Sequence, residues 1–204
     1  MTPVDIPSPI DLCAMPDALA WERTAMQRPF RQEFFEAFAN ELSLITQPTI
    51  RVLELGSGPG FLARQVLDHI PNLEITLLDF SSAMHELARL RLGNVLNRVT
   101  FVERSFKEPG WAYDLGIFEA VITNQAVHEL RHKRHATALH QQVRGLLQER
   151  GVYLVCDHYC GEDGMQNDQL YMTLDEQHAS LQSAGYKVSN VLIKGGRALY
   201  RATR

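Results

Sequence analysis

The sequence predicts a doubly wound α/β fold built on a seven-stranded, mostly parallel sheet with a C-terminal antiparallel strand. Three observations lead there. From residue 50 onwards, short apolar runs alternate with amphipathic stretches, the pattern of strands that helices bury on both faces. Three glycines at alternate positions stand between the first of these runs and the stretch that follows it. Only Lys194-Gly195-Gly196-Arg197 separates the last two runs, a link that permits a hairpin and is too short for a parallel crossover.

The elements follow in order. Residues 1–48 read as a helical leader. Between Pro16 and Leu44 the residues Leu19, Met26, Phe30, Phe34, Phe35, Phe38 and Leu42 fall near helical spacing, with an interruption near Pro29. Gln47-Pro48 closes the leader, and residues 49–204 form the second unit. Its strands are expected at 50–55, 74–78, 99–102, 120–123, 152–156, 187–193 and 198–202, and its helices at 60–69, 82–92, 135–148 and 174–184.

Composition bounds the partners. With 204 residues, 45% of them apolar, the chain has the material for one core, ordered throughout except for its first few residues. A net charge of −4 repels polyanions, so nucleic acid is not an expected partner. The basic cluster Arg131, Lys133 and Arg134, beside His132 and His135, reads as a solvated helix start. Three cysteines without a CxxC pair support neither a disulfide framework nor a zinc site, and no other metal set stands out. The first residues carry four prolines and acids, with no basic start and no apolar run of signal-peptide or membrane length. A cytoplasmic protein without a membrane partner, monomeric or homodimeric, is expected.

The most informative segment is Val52-Leu53-Glu54-Leu55-Gly56-Ser57-Gly58-Pro59-Gly60-Phe61. A buried strand runs into glycines that let the backbone approach a ligand, and the following helix offers free N–H groups and the positive end of its dipole. The dinucleotide fingerprint GxGxxG needs a third glycine where Phe61 stands, which disfavours a pyrophosphate. Glu54 points the same way, because it would repel a phosphate but can accept hydrogen bonds from an amino group.

E-L-G-S-G-P-G resembles the first motif of the class I S-adenosylmethionine-dependent methyltransferases, and the resemblance extends in register over residues 50–204. It implies the Rossmann-like methyltransferase fold with S-adenosylmethionine as cofactor. Gly56, Ser57, Gly58 and Gly60 would form the loop beneath it. Asp79, in Leu77-Leu78-Asp79-Phe80-Ser81, would accept the two ribose hydroxyls, while Phe80 and Met84 pack on the adenine. Ser105 stands where many members carry an acid, leaving backbone groups of Ser105 and Phe106 to read the adenine edge. Asn124 and Gln125, after the fourth strand, would pass beneath the methionine part. Glu149 and Arg150 replace the usual proline and first glycine of L-x-P-G-G, a departure that touches a turn.

Methyl transfer from a sulfonium is an in-line displacement, so alignment and exclusion of water carry most of the catalysis. A base is needed only where the acceptor must lose a proton. His128, followed by His158, is the expected base, since a neutral imidazole takes a proton near pH 7; Glu129, Asp157 and Tyr159 lie in the same two loops. The aromatic leader resembles the lids of small-molecule methyltransferases, with Trp21, Gln27 and Arg31 as its candidate ligand contacts. Thr123-Asn124-Gln125-Ala126 replaces the N-P-P-Y-like run of enzymes that methylate exocyclic amines. A small-molecule acceptor is therefore expected. The alternatives are a methyltransferase acting on a protein or RNA, and a non-catalytic accessory protein that binds the same cofactor.

Overall fold

A computed structural model describes residues 4–204; the expectation about the first few residues falls largely on positions outside these. Seven strands form one sheet: β1 (Ile50–Leu55), β2 (Leu73–Asp79), β3 (Val99–Glu103), β4 (Phe118–Asn124), β5 (Leu147–His158), β6 (Lys187–Lys194) and β7 (Arg197–Thr203). Their order is β3-β2-β1-β4-β5-β7-β6. The first five strands run parallel to their neighbours, and β7 inserts antiparallel between β5 and β6. The antiparallel strand expected from the four-residue link is therefore β7. Its hairpin closes through Gly195 and Gly196, both with positive φ.

Among the described residues six α-helices complete the layers: α1 (Met15–Ala25), α2 (Arg31–Ser43), α3 (Phe61–His69), α4 (Ser82–Leu92), α5 (Ala136–Gly145) and α6 (Leu174–Ser183). Alternation along the buried strands decides which side chains meet which helices. Val52, Ile122 and Leu154 face α2 and α3, where Phe34, Phe38, Leu62 and Val66 are buried. Leu53, Val121 and Tyr153 face α5 and α6, meeting Leu139, Val143 and Leu181. Among the described residues no helix is long and apolar enough to cross a membrane.

Two expectations change. The helix expected over 135–148 ends at Gly145, and β5 begins at Leu147. Pairing of Phe118 with Leu147 and of Ala120 with Val152 leaves residues 148–151 bulging between them, so the unusual Glu149-Arg150 pair lies in a bulge of β5. An extra buried Leu147 at the sheet, in place of another helical turn, is what that local pattern could not distinguish. The basic cluster is not simply a solvated helix start: buried Arg131 donates through its side chain to Ile6 O (2.8 Å) and Pro7 O (2.7 Å), and Arg134 pairs with Asp5 at 2.5 Å. These contacts fasten the leader across the carboxyl ends of the strands.

Candidate functional site

The order β2-β1-β4 puts the reversal of winding between β1 and β4, and in open α/β sheets ligands sit outside the carboxyl ends at that point. Three loops meet there. After β1, Gly56 takes φ +66°, and its N–H donates to Leu78 O at 2.8 Å. An ideal Cβ on Gly56 would lie 2.4 Å from the Cβ of Ala126 in the loop after β4, so glycine is required for the two loops to touch. Gly58 N–H donates to Asp79 Oδ2 at 2.8 Å, tying the glycine loop to the end of β2.

A cavity of about 440 Å³ opens above these loops. Glu54, Gly56, Ser57, Gly58, Asp79, Phe80, Met84, Ser105, Phe106, Asn124, Gln125, His128 and His158 all line it. Gly60 does not: it caps α3, and its Cα packs towards Ala88 of α4. Trp21, Arg31 and Phe35 line the cavity from the leader. Gln27 instead turns back, donating to Arg23 O at 3.2 Å, and the neighbouring Arg28 takes its place at the wall. Ser8, Ile10 and Leu12 of the leader, which sequence reasoning did not name, line the cavity too, as do Met165, Leu170 and Tyr171 of the polar segment 158–174, where the family resemblance implies a cover for the acceptor.

Several buried polar atoms on this lining lack partners. They are Glu54 Oε2, Ser57 Oγ, Gln125 Nε2 and Arg31 Nε. Burying such groups unpaired costs on the order of 1–3 kcal/mol each, which marks a place where a polar ligand binds. Burial, with Asp79 adding to it, raises the Glu54 carboxyl well above its ordinary range. Burial also pushes Asp79 up to about 6, against hydrogen bonds from the backbone of Gly58, Ser81 and Phe80. Asp79 does not cap α4; Ser81 does, its Oγ accepting from Met84 N at 3.0 Å.

At the other end of the cavity stands a histidine pair. His128 Nδ1 lies 2.7 Å from Asp157 Oδ1, and His128 N–H donates to Asp157 Oδ2 at 2.8 Å. His128 Nε2 is 3.4 Å from Glu129 Oε1. Burial opposes charge on this ring, but Asp157 and Glu129 outweigh it and push His128 up to about 10. His158 goes the other way, to about 4, because burial outweighs Asp157. So His128 is a cation at neutral pH and His158 is neutral. Asp157 spends its oxygens on His128 and on the backbone of His158, which makes it an anchor for both loops.

A family model described as a methyltransferase domain matches residues 52–151, the segment that holds the glycine loop, Asp79 and the loop after β4. Residues 52–151 therefore carry a methyltransferase domain. This chain is 25% identical over 154 residues to a malonyl-[acyl-carrier protein] O-methyltransferase of Geobacter sulfurreducens, an alignment covering 67% of this chain and 55% of that protein. A protein of the same description from Ilyobacter polytropus is 42% identical over 52 residues, covering 26% of this chain and 19% of that one. The chain thus spans little more than half of the Geobacter protein. Human N-acetylserotonin methyltransferase in complex with S-adenosylmethionine shares the fold with a TM-score of 0.72 at 18% identity, covering 95% of this chain and 57% of that one. DhpI, in its S-adenosylhomocysteine complex, does so with a TM-score of 0.70 at 20% identity, covering 92% and 93%.

Proposed function

We propose that this chain is a class I methyltransferase that transfers a methyl group from S-adenosylmethionine to a small-molecule acceptor. The observation that carries the reading is the set of unpartnered buried atoms on Glu54, Ser57, Gln125 and Arg31, all on the lining of one cavity beside Asp79. Those groups fit a ligand with an ammonium, a carboxylate and a diol. Glu54 accepts from the amino group. Arg31 and Gln125 meet the carboxylate, and Asp79 takes the ribose hydroxyls. Half-exposed Phe80 and buried Met84 cover the adenine, with Ser105 and Phe106 at its edge. When bound, the donor supplies an electrophilic methyl on a positively charged sulfur.

The chain's own work is alignment and exclusion of water. The leader covers the cavity: Ser81 Oγ donates to Leu12 O at 2.6 Å, and Arg91 pairs with Glu22 at 2.6 Å, holding both of its segments down. The lid proposed for residues 1–48 rests on the part before α2, because α2 itself is buried in the core with the strands. His158, neutral through burial, is the base available to an acceptor that must lose a proton, and His128 is a fixed donor beside it. The activity named for the Geobacter and Ilyobacter proteins is O-methylation, which supports oxygen as the atom methylated. The free cysteines fit a reducing, cytoplasmic setting.

Titration calorimetry with S-adenosylmethionine, S-adenosylhomocysteine and NAD tests the reading. Binding of both methionine derivatives and none of NAD is expected; silence towards both derivatives overturns it.

A further inference from the structure

The acceptor end of the cavity holds a cation with no counterion. Arg28 sits on the turn between α1 and α2 and lines the cavity. Its guanidinium lies 5.3 Å from the centroid of the Trp21 ring, and among the described residues no carboxylate or carbonyl accepts from it. The acids nearby are already engaged: Asp157 by His128, and Glu129 by His128 and Arg131. Arg31 is the other guanidinium on this wall, but it is held by Ala25 O and Gln125 Oε1, each at 3.3 Å.

The turn that carries Arg28 is fixed from beneath. The Arg197 side chain donates to Pro29 O, Lys194 pairs with Glu33 at 2.8 Å, and the Phe30 ring lies against Gly195 of the β6–β7 hairpin. A long cationic side chain on a rigid turn, with its counterion missing, is a built half of an ion pair. Facing it are the rings of His128, His158 and Tyr171, whose centroids lie 5.4 to 6.0 Å apart, and the apolar side chains of Met165 and Leu170. A guanidinium offers parallel N–H donors that match a planar carboxylate.

We propose that the acceptor is a carboxylate-bearing small molecule, its carboxylate paired with Arg28 and its apolar body lying against Met165, Leu170 and Tyr171. This rests on the methyltransferase reading above and names the acceptor class for the same cavity. The positive charge of His128 and of a bound sulfonium favours the same choice, since either repels a cationic acceptor.

The test uses the full chain saturated with S-adenosylhomocysteine, titrated with 4-hydroxybenzoate, 3-hydroxybenzoate and hexanoate, each against its amide. In the unaltered protein at least one carboxylate binds roughly tenfold more tightly than its amide. In Arg28→Met that preference disappears, and in Arg28→Lys, which keeps the charge without the fork, part of it remains. No preference for any carboxylate in the unaltered protein, or a preference that survives in Arg28→Met, overturns the proposal. Failure of S-adenosylhomocysteine itself to bind would instead overturn the methyltransferase reading, so the two failures are distinct.

Discussion

Asp79 and His128 show how burial and neighbours divide the chemistry of single residues. Asp79 accepts from two backbone donors, Gly58 N and Ser81 N, and its carboxylate lines the cavity. Asp79→Ala should weaken S-adenosylhomocysteine binding by roughly 1–3 kcal/mol, the loss of a charged hydrogen-bond partner; unchanged affinity in calorimetry would contradict the ribose role. For His128 the folded pKa, about 10, lies above the ordinary 6.5, so its pairing with Asp157 stabilises fully below pH 6.5 and that contribution is lost as pH climbs towards 10. Asp157→Asn should bring the NMR titration of His128 down to the ordinary range or below, because burial then acts with only Glu129 against it. A titration still near 10 would show that Asp157 is not the cause. Both residues were visible in the sequence as polar groups at strand ends. Their protonation states were not, because those depend on burial and on partners 29 residues away, as in His128 and Asp157.

At the scale of elements, local rules placed most of the sheet. Apolar runs marked all seven strands; the central β1, β4 and β5 are buried on both faces, whereas β3 and β6 at the sheet edges are only partly buried. The end of α5 was less visible: the stretch from Arg144 to Gln148 suits helix and strand alike, and tertiary pairing with Phe118 settled it. The β6–β7 hairpin shows an element acting at a distance. Gly195 has φ +54°, and an ideal Cβ there would lie 2.5 Å from the Phe30 ring. Gly195→Ala should therefore cost about 1–2 kcal/mol from backbone strain alone, read as a lower Tm, and should also displace the turn that carries Arg28. A Tm equal to that of the unaltered chain would mean that the turn is not held as described.

The whole molecule is organised around one sheet with two apolar faces, and α2 supplies a large part of one of them. Phe34, Phe35, Phe38 and Leu42 are buried with residues from β1, β2, β4, β5 and β7. Phe38→Ala should destabilise the chain by about 3–5 kcal/mol while unfolding remains a single transition, since the helix shares its core with the strands. A separate early transition for the leader in calorimetry would show instead that it folds as an independent unit.

What the sequence determined by itself was the sheet, its C-terminal antiparallel strand and the glycine loop after β1, because these rest on short-range patterns: apolar runs and turn glycines. Only the tertiary structure decided which loops meet above the sheet. It brought Arg28, Arg31, His128, His158 and Tyr171 to one cavity, fastened the leader to Arg131, and made one histidine cationic and the other neutral. Those outcomes depend on contacts between residues far apart in the chain and on the low dielectric their packing creates, and neither is written in local spacing.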